Sequence, residues 1–200
     1  INTQDYFDLF PKASLLYNAN DDNSFGISYA RAITRPKYES LNPFRYFINE
    51  NNFTDGNPNL VPEIDSKYTV SYTYKNTWFL EAYYWHVKNP LEELRFQNNN
   101  TRALQSIDTN LIKEYQYSLD LVFANPVTSW WYLQVVTSGF FIENEFFALQ
   151  SNQEVAVANT YGFYGQMYSG MVISEALGLS SDLTALYISN LIFGSYTYKT

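Results

Sequence analysis

The sequence has no cysteine, a single histidine, His86, and only two methionines. Without thiols there is no disulfide framework and no thiolate metal site, which fits an exported protein that does without disulfides but is also met in cytosolic chains. One imidazole leaves little scope for histidine-based metal binding or for Ser-His nucleophile activation. Basic runs are missing as well: 12 Lys and Arg stand against 20 Asp and Glu, for a net charge of −8. Phosphate binding needs clustered cations, so nucleic acid is excluded as a partner. No uninterrupted apolar run exceeds four residues, whereas a membrane helix needs about 20 mostly apolar residues. If this chain meets a bilayer, it does so as strands. Ile1 to Phe10 has neither a basic start nor a continuous apolar core, so no signal peptide is read there and a mature chain or a fragment is expected.

What is abundant is aromatic. Nineteen Tyr, fifteen Phe and four Trp make 19% of the chain, and such side chains suit pleated surfaces better than helix interiors. They recur with period two. Tyr68, Val70, Tyr72 and Tyr74 interleave with Thr69, Ser71 and Thr73. Phe25, Ile27 and Tyr29 do the same against Gly26, Ser28 and Ala30, and Tyr115, Tyr117, Leu119, Leu121 and Phe123 against Gln116, Ser118 and Asp120. One apolar and one polar face per segment predicts strands.

Turn residues divide the chain. Compact breaks fall at 20–24, 75–76, 125–128 and 174–178, and long polar stretches at 34–65, 88–111 and 143–159. The strands expected between them are 12–19, 25–33, 66–74, 77–87, 112–124, 130–142, 160–173 and 179–193. Connections therefore alternate short and long, which in an antiparallel up-and-down meander puts all short turns at one end and all long loops at the other. That asymmetry is the pattern of a transmembrane β-barrel, aromatic face to lipid and Ser/Thr/Gln face to a polar lumen. Two alternatives stay open. A soluble all-β module that binds carbohydrate or another ligand would pack its aromatic faces in a dry core. A complete small barrel with an adhesive or hydrolytic role would pair 12–19 with 179–193.

From Tyr6 to Trp85 the order of words resembles the barrel domain of TonB-dependent receptors, in the outer-membrane β-barrel family. Asp8-Leu9-Phe10-Pro11 followed by Ala13 to Tyr17 resembles the segment entering a strand, and Ser28 to Pro36 the strand that ends in an Arg-Pro corner. Tyr38 to Phe44, Gly56 to Glu63 and Ser71 to Tyr74 follow in order, and Gly194 resembles a late strand-closing glycine. The resemblance implies a barrel of about 22 strands in the cell outer membrane, with outer-membrane lipid, its own plug domain and TonB as partners, importing a large or scarce substrate such as a glycan, siderophore or peptide. Residues 1–200 are then expected to be a partial barrel domain of about eight strands, without its plug, with no catalytic residue and no cofactor.

Independently of the resemblance, Pro36, Pro43, Pro58 and Pro62 each remove a backbone donor, so 34–65 cannot be one continuous ladder and is expected to fold over as an ordered loop. Within it Phe44, Arg45, Tyr46, Phe47 and Phe53 combine rings with a guanidinium, suited to stacking on sugar rings or to packing on a surface lipoprotein. The competing reading is that these rings pack on one another. His86 near a strand end is expected to be structural, though a pairing with Ser118 is the one hydrolase constellation available. Glu92 and Glu93 with Asp55, Glu63 and Asp65 offer loop oxygens for Ca²⁺ but match no strict motif, and a solvated acidic loop explains them better. Trp130-Trp131-Tyr132, next to a short turn, is expected at the periplasmic interface.

Overall fold

Alternating aromatic and hydroxyl residues set the backbone of this chain as strands, and short polar turns fold those strands back on one another. The computed structural model describes residues 8–98, 100–148, 154–193 and 196–198, and no helix occurs among them. The chain runs through β1 (Lys12–Asn20), β2 (Asn23–Thr34), β3 (Arg45–Asn49), β4 (Asn52–Asp55), β5 (Glu63–Tyr74), β6 (Trp78–Lys88) and β7 (Leu91–Asn98). It continues through β8 (Ala103–Asn110), β9 (Lys113–Thr128), β10 (Trp131–Ala148), β11 (Glu154–Ser174), β12 (Leu179–Ile188), β13 (Leu191–Phe193) and β14 (Tyr196–Tyr198). Gly194, and the start of the resembling stretch at Tyr6, lie outside the described residues.

Eight strands form one antiparallel meander in the order β1-β2-β5-β6-β9-β10-β11-β12. Its short turns share one end. Lys75 and Asn76 both have φ of 52°, and Thr77 N–H donates to the Tyr74 carbonyl at 3.0 Å, the turn whose twist matches the flanking strands. At the first turn Asn20 Oδ1 accepts from Asp22 N–H at 3.0 Å and from Asn23 Nδ2 at 2.7 Å, and at the last Gly178 takes φ of 62°, where a glycine is unstrained.

Three boundaries differ from the sequence reading, the first being the strand expected over 179–193, which ends at Ile188, while Leu191–Phe193 pairs with Tyr196–Tyr198 instead. The turn expected at 125–128 falls instead at Ser129-Trp130, because β9 continues past Pro126. That proline sits opposite Tyr132, and the register shifts between Trp131 and Tyr132, so a bulge absorbs the missing donor. The stretch 143–159, expected to be a loop, is strand over 143–148 and 154–159. Its polar residues break the alternation without breaking the ladder, since Lys113 meets Glu145 at 2.9 Å and Phe146 is buried.

The sheet is open: among the described residues β1 pairs only with β2 and β12 only with β11, so the complete small barrel is not formed. Among the described residues there is no dry sandwich core either: the outward aromatic face stays bare, with Tyr161 74% and Leu119 56% exposed, and no second sheet of theirs covers it. The core lies at the long-loop end, where Leu94 and Leu111 pack on Phe146 with Phe96, Ala156 and Ala158 around them.

The two longest loops build that end together. Hairpins β3–β4 and β7–β8 join through a parallel β4–β8 pairing into a four-stranded sheet of order β3-β4-β8-β7. The prolines of 34–65 all fall outside its strands. Gly56 is indispensable to the fold-over, since a Cβ there would lie 1.9 Å from the Asn42 carbonyl oxygen.

Candidate functional site

Each barrel strand presents one side chain in two to each face, and the hydrogen-bond register decides which side chains meet. On the outer face Tyr29, Tyr68, Tyr84, Tyr117, Phe141 and Tyr161 stand in one row across six consecutive strands. Their ring centroids lie 4.7, 6.1, 4.9, 6.3 and 4.7 Å apart in sequence along the row. Toward the short turns the next row is Ile27, Val70, Ala82, Leu119 and Gly139. Toward the long loops it is Arg31, Ser66, His86, Tyr115, Glu143 and Asn159. Polarity thus changes within one register step, about 7 Å of strand, as it does where a bilayer's hydrocarbon gives way to headgroups.

The other rim carries its own aromatics. Trp130 and Trp131 stack at 6.3 Å beside the third short turn, and Trp131 Nε1 donates to Ser169 Oγ at 2.9 Å. Trp78 meets Phe123 at 4.6 Å. An amphipathic indole with a bonded N–H suits that interface.

The inner face carries a track of polar side chains. Lys67 Nζ lies 3.7 Å from Glu81 and 3.9 Å over the Tyr83 ring, and Gln116 donates to the Tyr83 hydroxyl at 2.7 Å. Ser118 and Ser138 each donate to Asp120 Oδ1 at 2.5 Å, with 3.0 Å between their oxygens. Farther along, Tyr168 donates to Asp182 at 2.8 Å. Period-two polarity marks each of these residues singly in the sequence, but their grouping depends on register between strands up to dozens of residues apart, which no local pattern carries.

His86 belongs to the opposite face. Its ring stacks on Tyr115 at 4.9 Å, while Ser118 points inward to Asp120, so the sheet itself separates the two and no Ser-His pair forms. The acidic residues do not gather into one cluster either: Glu63, Glu92 and Glu93 line one cavity at the barrel rim, and Asp55 and Asp65 are not among its walls. Asp55 is tied to Arg45, Glu93 to Arg95 at 3.0 Å, and Glu63 accepts the Leu91 N–H at 2.9 Å. Among the described residues no three His, Cys, Asp or Glu converge to hold a metal ion.

The loop set is only partly assembled. Arg45, Phe47 and Phe53 share one face of the β3–β4 hairpin: Arg45 forms a two-pronged bond to Asp55, both at 2.7 Å, and its guanidinium lies 3.9 Å over the Phe53 ring. Phe47 meets Phe53 at 5.8 Å, and Gln105 of β8 donates to the same carboxylate at 2.7 Å. The guanidinium bond holds the Asp55 carboxyl below its usual range, and the carboxylate raises Arg45 in turn. Tyr46 falls on the opposite side of the hairpin, where its hydroxyl accepts from Asn42 at 3.3 Å. Phe44 precedes the strand and is exposed, as are Tyr46 and Phe47.

Asn110, which the sequence does not distinguish from the other polar loop residues, ties the loops to the barrel rim. Its side chain accepts from Val61 N–H at 2.9 Å and donates to the carbonyls of Val61 and Asn89 at 2.9 and 2.8 Å.

Among solved structures, the siderophore receptor PirA from Pseudomonas aeruginosa aligns with a TM-score of 0.52 at 14% identity, over 83% of this chain and 36% of that one. A mutant of the ferric enterobactin receptor PfeA from the same organism gives 0.46 at 11% identity, over 83% and 33%. The first shows a shared fold, and the chain spans about a third of that receptor's length. No curated protein matches the sequence. The family model for the outer membrane protein beta-barrel family matches residues 1–200, and with the aromatic band, the polar inner face and the one-sided loops this places the chain in that family and in the outer membrane.

Proposed function

We propose that this chain is the wall and part of the outer mouth of a TonB-dependent receptor that imports a nutrient too large or too scarce for passive pores, such as a glycan, a siderophore or a peptide. One observation carries the reading: a lipid-compatible aromatic face is backed by a hydrogen-bonded polar face, and the long loops above it fold into one ordered sheet. A preformed surface lowers the ordering cost of binding, which serves a receptor and is of no use to a general pore. An open sheet leaves its polar face uncovered, so further strands of the full-length protein complete the barrel, its own plug domain fills the lumen, and TonB supplies the energy.

In this reading the chain does no chemistry. Residues 1–200 are a partial barrel domain, and substrate or a surface lipoprotein is met by the loop residues Phe44, Arg45, Tyr46, Phe47 and Phe53. Ring stacking on a sugar or packing on a protein partner is the chemistry such a hairpin offers. The test is genetic: cells lacking the full-length gene are grown on single glycans, iron chelates or peptides. A growth defect that the intact gene repairs, but not in cells without TonB, is the expected outcome. Uptake that proceeds equally without TonB removes the proposal.

A further inference from the structure

Where the barrel rim meets the loop sheet there is a cavity of about 300 Å³ that the receptor reading does not use. Its walls include Arg35 and Lys37 from the exit of β2, Glu63 at the start of β5, and Glu92 and Asp108 from β7 and β8, over the buried Leu60. The acidic wall is fixed before any ligand arrives, while Arg35 and Lys37 face it as exposed side chains. Leu91 N–H donates to Glu63, Asn57 Nδ2 donates to the Asp108 carbonyl at 3.2 Å, and Asn110 joins Val61 to Asn89.

Both signs of charge line this space, yet they do not neutralise each other. The six ion pairs among the described residues include neither Arg35 nor Lys37, although four carboxylates line the same cavity, of which Glu93 alone is paired, to Arg95 outside it. Among the described residues Glu63, Glu92 and Asp108 have no cation within ion-pair distance either. On the acidic side burial, and then repulsion from Glu63, raise the Glu92 carboxyl above its usual range. Opposite charges on separate walls of one pocket are electrostatically complementary to a molecule carrying an ammonium at one end and a carboxylate at the other. Among the described residues no three carboxylates converge to hold a metal ion, and an organic ammonium is a cation that this acidic wall suits.

We propose that this cavity binds a small zwitterion, the free ends of a short peptide, with the carboxylate toward Arg35 and Lys37 and the ammonium toward Glu63 and Glu92. The volume stands at the small end of ligand pockets, which run from about 300 to 1,000 Å³, and so limits the guest to about the size of a tripeptide. This rests on the receptor reading for its biological sense, as a choice of peptide among the nutrient classes, but not for its physics.

The intact receptor, purified in detergent, is titrated calorimetrically with trialanine, N-acetyl-trialanine and trialanine amide. Trialanine is expected to bind about ten-fold tighter than either blocked form, the worth of one charge-assisted contact. Arg35→Gln with Lys37→Gln is expected to abolish the preference over the amide alone, and Glu92→Gln the preference over the N-acetyl form alone. Heat-modifiable migration on gels verifies that each variant is folded. Equal binding of the three peptides, or no trialanine binding by folded receptor, overturns the proposal. End-selective binding in a receptor whose uptake ignores TonB sustains the pocket while removing the transport reading.

Discussion

Asn110 and Val61 hold each other twice: Oδ1 of the asparagine takes the valine N–H at 2.9 Å and Nδ2 returns a bond to the valine carbonyl at 2.9 Å. The amide mimics a strand partner for one residue of a proline-bounded segment that has no ladder of its own. Because Nδ2 also reaches the Asn89 carbonyl at 2.8 Å, one side chain fastens the end of the first long loop to the start of the second. Asn110→Ala removes three bonds and leaves partly buried backbone groups unpaired, at about 1 kcal/mol each. The loss is local, so limited proteolysis within 35–62 is expected to accelerate while heat-modifiable migration of the barrel stays unchanged. Cleavage no faster than in the parent protein would show that the loops are held elsewhere.

Adjacent residues are expected to give opposite results on the wall. Val70 faces outward in register with Ile27 and Ala82, and Thr69 faces inward in register with Ser28 and Tyr83. Val70→Arg sets a charge against hydrocarbon at a cost of about 2–4 kcal/mol near the bilayer midplane, whereas Thr69→Arg enters a polar face beside Glu81. Folded fraction in lipid vesicles measures both. A larger loss from Thr69→Arg than from Val70→Arg would reverse the assignment of faces.

These two residues also mark how much was legible beforehand. Alternation alone assigned Val70 and Thr69 to opposite faces, since period-two polarity is local and the barrel's lipid and lumen sides differ sharply in chemistry. Strand 112–124 was legible for the same reason. Its end was not, because a proline reads locally as a stop, and only the pairing with Tyr132 reveals the bulge that lets β9 pass Pro126. The loop sheet was legible only in part: prolines forbade a long ladder, but the parallel pairing of Asn52–Asp55 with Leu104–Ile107 joins segments some fifty residues apart. Phe44 to Phe47 were singled out by composition, which does not carry the hairpin parity that parts Tyr46 from Arg45 and Phe47.

Acidification is expected to act on the loops in two separate windows. Glu92 has a raised folded-state pKa, caused first by burial and then by Glu63, so the folded loops bind its proton more readily than the unfolded chain and gain stability as pH falls from neutral toward about 4.3. Asp55 is the opposite case. Its pKa is lowered by the Arg45 bond, so that latch is at full strength above about 3.9 and is lost only as pH drops through the depressed folded value. Amide exchange in 45–55 and in 89–95, followed from pH 7 to pH 3, separates the two. Glu92→Gln is expected to flatten the first change and Asp55→Asn the second. A latch that loosens already near pH 6 would mean that Asp55 is not what holds Arg45.

The outer cap should come away from the wall without unfolding it. Phe146 carries the contact between Leu94 and Leu111 of the loop segments and the far end of β10, and it lies well beyond Phe141, where the outer face turns polar. Phe146→Ala empties that cluster, at a cost of about 3 kcal/mol, the lower bound for a buried phenylalanine, because the ring retains some exposure. The ladder below needs none of it: β9, β10 and β11 remain paired over 113–145 and 157–171 by backbone bonds alone. Loosened cap and intact wall are therefore expected together, seen as rapid amide exchange in 91–98 and 103–110 against persistent protection in 117–124 and 133–141. Protection lost in both sets at once would mean that cap and wall fold as a single unit, and that the small core at the mouth stabilises the barrel as well as the loops.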